Sequence, residues 1–346
     1  MGRRDKSYHK SLVEQANDRL VSMQHFGESK KAAVAAGTEK DKVFSASTYH
    51  TYYKHIRYFC HWIKEMHPEC TTLRAARKHV NEWLEFRANS VNAKGEPLSA
   101  WTIQTEAKAL GKLYGIAPDD EDYFIAPKRN RVDIKRSRGE VVRDANFSEA
   151  NNAELVRFCK GTGLRRSELE KLKPGDLRTK AEIEARIAEI EQVPEGRCTD
   201  VERKELGTLI DTRMFGDTEY FLYVKGKGGR IRLSPIIGTS ADAIVERVRS
   251  TPAGDNVWQY VNTNADIHGY RAQYATAIYK AYARKIEEIP FDSVNKGTGR
   301  KYQSDVYTCR KDEGGKKLDR AAMLIASKAL GHNRICVVAD NYIRDL

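Results

Sequence analysis

The chain has 346 residues, 40% of them hydrophobic, which is enough to bury two cores and sets a prior of about two domains. Its 60 Lys and Arg against 48 Asp and Glu leave a formal charge of +12 and a sequence pI near 9.3, so the field of the molecule favours a polyanionic partner. With a mean hydropathy of −0.65 and no apolar run near the roughly 20 residues of a bilayer span, membrane insertion is not expected.

The basic N-terminal residues have no apolar segment behind them, so they do not read as a secretion signal, and a cytoplasmic protein is expected. Cys60, Cys70, Cys159, Cys198, Cys309 and Cys336 form no CxxC pair, which argues against a zinc finger and against a disulfide framework.

In chain order, Ser11 to Met23 is helical in pattern, and the small, charged residues from Gly27 to Asp41 read as a loop. Ser47 is placed to cap a helix in which Tyr49, Tyr52, Tyr53, Ile56, Phe59, Cys60 and Ile63 recur at three- and four-residue steps. Aromatic side chains interleaved with bases can stack on nucleobases, but this spacing also suits core packing, the reading preferred here. Further helices are expected from Leu73 to Ala88 and from Ser99 to Tyr114. Together these give an N-terminal helical extension over 1–44 and a small helical domain over 45–126.

Residues 127–146 are too charged to pack as a core element and read as an exposed linker. Lys128, Arg129, Arg131, Lys135, Arg136 and Arg138 lie in it. A solvated linker and a phosphate-contacting one are equally compatible with such a composition.

Downstream, FSEANNAELVRFCKGTGLRRSELEKLKPGDL reads as a helix, a glycine break and a short second helix ended before Pro174. Arg165 opens that second helix, where free backbone N–H groups also favour an anion. Glu168 lies one turn later on the same face and is placed to orient the Arg165 guanidinium. Two charged helical patterns between Glu182 and Met214 suggest a helical hairpin added to the surface.

EYFLYVKGKGGRIRLSPI is a β-hairpin pattern with a basic, glycine-rich tip holding Lys225, Lys227 and Arg230. It is no Walker A loop, because no Gly-Lys-Ser/Thr follows a properly spaced glycine. HGYRAQYATAIYKAY continues as a helix burying Tyr270, Tyr274, Ile278 and Tyr282, with His268 and Arg271 on a neighbouring face. The last segment places Gly331 after a helix, then His332, then an apolar run ending near Tyr342.

TGLRRSELEKL, KGKGGRIRLSP, HGYR, LGHNR and DNYIR stand in the order of the arginine, lysine-hairpin, histidine–arginine, second-histidine and tyrosine boxes of the tyrosine recombinases, which the set resembles. The motifs cover about the last 180 residues. The resemblance implies a mainly α (α+β) fold: a helical core-binding domain that binds DNA, then a mostly helical catalytic domain over 147–346 with a small antiparallel sheet and insertions near 180–214 and 290–317.

It further implies a site-specific DNA recombinase working through a 3′-phosphotyrosine, with no cofactor, metal or ATP. Arg165 and Arg271 would hold the nonbridging oxygens, and His332 would add a hydrogen bond. Tyr342 would be the nucleophile, a phenol with an ordinary pKa near 10 that needs help from a base, His268. Lys227 would protonate the leaving 5′-oxygen, with Lys225 as the fallback. Glu168 would be structural.

Expected partners are double-stranded DNA with inverted-repeat core sites, further copies of the chain in a dimer to tetramer, and an accessory DNA-bending protein. Integration or excision of a mobile element is the preferred role. A type IB topoisomerase and a catalytically idle DNA-binding regulator are the rival readings.

Ten positions separate His332 from Tyr342 and 61 separate Arg271 from His332, both longer than the family pattern. The second gap implies the insertion over 290–317, read as a hairpin containing Tyr302 and Tyr307. Only 4 residues follow Tyr342, so the insertion rather than a tail helix is expected to make intersubunit contacts.

Overall fold

The computed structural model describes residues 10–130, 146–194, 196–226, 231–289, 305–309, 314–332 and 334–343. The chain divides into two compact units, Met1–Arg129 and Asn130–Leu346, and the boundary falls inside the stretch read as a linker. The fold is mainly helical, with one three-stranded and one two-stranded antiparallel sheet among the described residues. No helix of the described residues is long and apolar enough to cross a membrane.

In the first unit the helices are α1 (Leu12–Ser22), α2 (Lys30–Ala35), α3 (Ala46–Met66), α4 (Leu73–Ala76), α5 (Val80–Ala88) and α6 (Ala100–Tyr114). Helix α3 packs against α1, α5 and α6, burying Leu20, Ile56, Phe59, Ile63, Leu84, Leu110 and Leu113. These residues fall on the apolar stripes of their helices, the arrangement that drives helix association in water. Tyr49, Tyr52 and Tyr53 pack at the edge of this core.

Two details differ from the sequence reading. The cap of α3 is Ser45, whose hydroxyl accepts from Thr48 N, while Ser47 lies inside the helix; both serines precede the apolar stripe, and hydrogen bonding decides between them. The expected loop over 27–41 contains α2, which starts where the Ser29 hydroxyl accepts from Ala32 N.

The second unit contains α7 (Ala153–Thr162), α8 (Arg166–Leu169), β1 (Leu177–Thr179), α9 (Lys180–Glu191), α10 (Asp200–Ile210), β2 (Tyr220–Lys225), β3 (Ile231–Pro235), α11 (Ala241–Arg249), α12 (Ile267–Tyr282), β4 (Val306–Thr308), β5 (Lys317–Asp319), α13 (Arg320–Ala329) and α14 (Ile335–Asn341). The larger sheet has the order β1-β2-β3, with Val224 opposite Arg232 and Leu222 opposite Ser234.

Both faces of that sheet are covered. Phe221 and Leu233 join a core built on α9, α12, α13 and α14, whereas Leu222 and Val224 join one built on α7, α11 and the start of α12. Alternation along β2 sends successive side chains to opposite faces, and apolar cover on both sides explains its uninterrupted run of large residues. The expected surface hairpin of α9 and α10 contributes Ile183, Ile187, Ile190 and Leu209 to the first core, so its inner face is integral to the unit. Of the insertion over 290–317, residues 305–309 and 314–317 are described; Val306 pairs with Asp319 and Thr308 with Lys317. Tyr302 lies outside the described residues.

Candidate active site

Helix α7 ends at Gly163, whose φ of 58° is left-handed, and the chain then turns through buried Leu164 into α8. Space as well as dihedral requires glycine here: a Cβ at this position would stand 2.2 Å from Tyr274 Cδ1. The close approach lets the Gly163 carbonyl accept from Arg271 Nη1. Arg165 is the N-cap of α8. That helix has one turn, so its end dipole adds little, and the positive charge of the site resides in guanidinium groups.

Glu168 organises those groups. Its Oε2 accepts from the Arg165 backbone N–H at 2.8 Å and its Oε1 from Arg165 Nη1 at 2.6 Å. Arg232 on β3 donates to the same carboxylate in a bidentate fork, Nη1 to Oε1 at 2.9 Å and Nη2 to Oε2 at 2.8 Å. Arg232 Nε also donates to the Ala329 carbonyl at 3.1 Å. Burial would raise the Glu168 pKa, but the Arg232 hydrogen bonds and charge, the Arg165 N–H and the Arg271 charge together hold it well below the usual carboxylate range.

Arg271 lies in the first turns of α12 and is 1% exposed. Its Nη2 donates to the Leu330 carbonyl at 2.5 Å and its Nε to Tyr342 Oη at 3.5 Å. The guanidinium carbon stands 5.6 Å from the centre of the Tyr342 ring. Burial, and then the charge of Arg232, push the Arg271 pKa down to about 10, which leaves it protonated at neutral pH. Its fork is thus fixed by two backbone carbonyls from separate elements.

The Gly331–His332 pair closes the cluster. Gly331 has φ 72°; its N–H donates to the Lys328 carbonyl at 2.9 Å and the His332 N–H to the Ser327 carbonyl at 2.8 Å. This is the two-bond αL ending of a helix, and it sets the direction in which His332 leaves α13. A Cβ on Gly331 would stand 2.7 Å from Arg232 Cδ. His332 Nε2 is 3.4 Å from Tyr342 Oη. Tyr342 itself ends α14 and is 8% exposed.

Arg165, Glu168, Arg271, His332 and Tyr342 are therefore brought into one connected cluster. His268 is exposed in the otherwise buried first turn of α12, and Arg271, three residues on, is buried. Lys225 is exposed at the end of β2. Lys227 and Arg230 lie outside the described residues, as do Arg131, Lys135, Arg136 and Arg138. In the first unit Lys128 is exposed, and Arg129 lies 5.5 Å over the Trp101 ring.

The residue that sequence reasoning missed is Arg232. Arg232 alternates with Ile231 and Leu233 along β3, a pattern that by itself reads as a polar face, yet it is 5% exposed. A signal was available: Ser234, two residues on and on the same face, is also fully buried, with its Oγ donating to the Thr162 carbonyl at 2.8 Å. A continuous apolar β2 implies cover on both faces of its neighbour too.

No protein-family model matches the chain, nor does any of the curated proteins.

Proposed function

We propose that the second unit cleaves and rejoins DNA strands through a covalent bond between Tyr342 and a 3′-phosphate. The observation that supports this best is the setting of the Tyr342 hydroxyl, 3.5 Å from Arg271 Nε and 3.4 Å from His332 Nε2, beside a carboxylate, Glu168, that holds the guanidinium groups of Arg165 and Arg232. Preorganised positive charge of this kind stabilises the extra charge that grows on nonbridging oxygens during attack on a phosphodiester.

In the proposed reaction a bond forms from Tyr342 Oη to phosphorus and the bond from phosphorus to the 5′-oxygen breaks. The phenolic proton passes to an imidazole. The sequence motif assigns that role to His268, and His332, whose Nε2 is 3.4 Å from the hydroxyl, is the second candidate. The leaving 5′-oxygen takes a proton from Lys227, or from Lys225. One phosphate ester replaces another, so rejoining to a second strand needs no nucleotide. Arg165, whose side chain is 30% exposed, is the guanidinium open to an incoming phosphate.

The substrate would be double-stranded DNA bearing inverted-repeat sites, bound by two to four copies of the chain in the cytoplasm, and the charge of +12 suits such a polyanion. The test is a nicked duplex carrying candidate element ends, with the protein–DNA adduct read on a denaturing gel. Wild type should form an adduct; Tyr342→Phe should retain DNA binding and form none. An adduct that persists in Tyr342→Phe would move the nucleophile elsewhere, and its absence from both proteins on every site tested would argue against the chemistry.

A further inference from the structure

The connection between α3 and α5 in the first unit holds a group of side chains that the DNA chemistry does not use. His67 is the C-cap of α3 and His79 immediately precedes α5. Their rings stack with centroids 3.5 Å apart and planes 22° from parallel. Glu82, in the first turn of α5, spans the pair: Oε1 is 3.2 Å from His67 Nε2 and Oε2 is 2.7 Å from His79 Nδ1.

That contact fixes the tautomer of each ring in its neutral form. A carboxylate only accepts, so each imidazole presents its N–H to Glu82, and a neutral imidazole has a single N–H. The lone pairs are then on His67 Nδ1 and His79 Nε2. Neither finds a donor in the contacts observed: His67 Nδ1 faces Glu69 Oε1 at 3.8 Å, and His79 Nε2 is buried with no hydrogen-bond partner. In the neutral rings these two nitrogens and the Glu69 carboxylate are the atoms left for a further ligand. Single ligand atoms of His67, Glu69 and His79 all lie within 4.8 Å of one another.

We infer that His67, Glu69 and His79 bind one divalent first-row transition ion of the zinc class, with Glu82 orienting both imidazoles from behind. Imidazole nitrogens and a carboxylate are the donors such ions prefer. A carboxylate that takes the far N–H of a ligating histidine is the usual outer partner of these sites. Ligand atoms around a tetrahedral zinc stand about 3.3 Å apart, so atoms now up to 4.8 Å apart must close together on binding. Glu69, 65% exposed, is free to swing inward. Because lone pairs lie in the ring planes, the stacked imidazoles must splay as the ion enters. Solvent completes the coordination on the side of Glu69, and the bound ion would clamp the α3–α5 connection.

The inference is independent of the chemistry proposed for the second unit. It is tested on the full, tag-free chain after chelator treatment, by calorimetric titration with zinc chloride and by the visible spectrum of the cobalt(II) form. One ion per chain should bind, zinc should raise the melting temperature where magnesium does not, and cobalt should give the intense visible bands of a four-coordinate site. Glu69→Gln, on an exposed side chain, should weaken zinc binding at least tenfold without altering the metal-free melting temperature. Glu82→Gln should cost about 10–100-fold, the range for loss of an outer-sphere partner. Absence of stoichiometric binding by wild type, or zinc affinity unchanged in both Glu69→Gln and a folded His79→Ala, would overturn the assignment.

Discussion

Replacement of Arg232 by methionine removes the fork on Glu168 and leaves a carboxylate that is 7% exposed with the Arg165 side chain and N–H as its remaining donors. Loss of one partner from a buried ion pair costs about 3–5 kcal/mol. Because two of the four hydrogen bonds to Glu168 survive, the lower end applies, about 3 kcal/mol for the second unit. The double variant Arg232→Met with Glu168→Gln should recover part of that loss, since no carboxylate is left short of partners, while the buried Arg271 charge loses the nearby Glu168 anion. The assay is urea titration with hydrogen exchange read by mass spectrometry on peptides spanning 160–170 and 220–235, which reports on this unit alone. A cost below about 1 kcal/mol, the level of an exposed ion pair, would refute the idea that Glu168 depends on Arg232.

The same carboxylate gives the second unit a defined acid sensitivity. The Glu168 pKa is lowered by folding, so its contribution is fully present above the unfolded value of about 4.3. It is lost as pH falls from there towards the folded value. Wild type should therefore destabilise more steeply than Glu168→Gln below about pH 4.3 in an acid titration, and parallel profiles would contradict this. Gly163→Ala combines a left-handed φ of 58° with a Cβ 2.2 Å from the Tyr274 ring. The backbone term of about 1 kcal/mol and an overpacking term of about 1–3 kcal/mol predict a loss of about 2–4 kcal/mol in the same exchange assay.

The helical registers were legible in sequence because burial there follows local periodicity. Ile56, Phe59 and Ile63 fall at three- and four-residue steps and are buried together, and the TGLRRSEL turn shows its glycine break directly. The candidate cluster was legible only as an ordered set of residue types. Nothing local says that Arg271, separated from Tyr342 by 71 positions, points inward onto its hydroxyl while His268 on the same turn stays exposed.

What the sequence determined by itself was therefore the helix stripes, the hairpin, the charge and the candidate residues, all of which depend on spacing over a few positions. Tertiary structure alone decided that Arg232 is buried against Glu168 and that the Gly163 and Leu330 carbonyls hold Arg271. It also decided that Glu82 bridges two histidines. Each of these depends on which surfaces of distant elements meet, and a buried charge is tolerated only where that meeting supplies its counter-charge and hydrogen bonds.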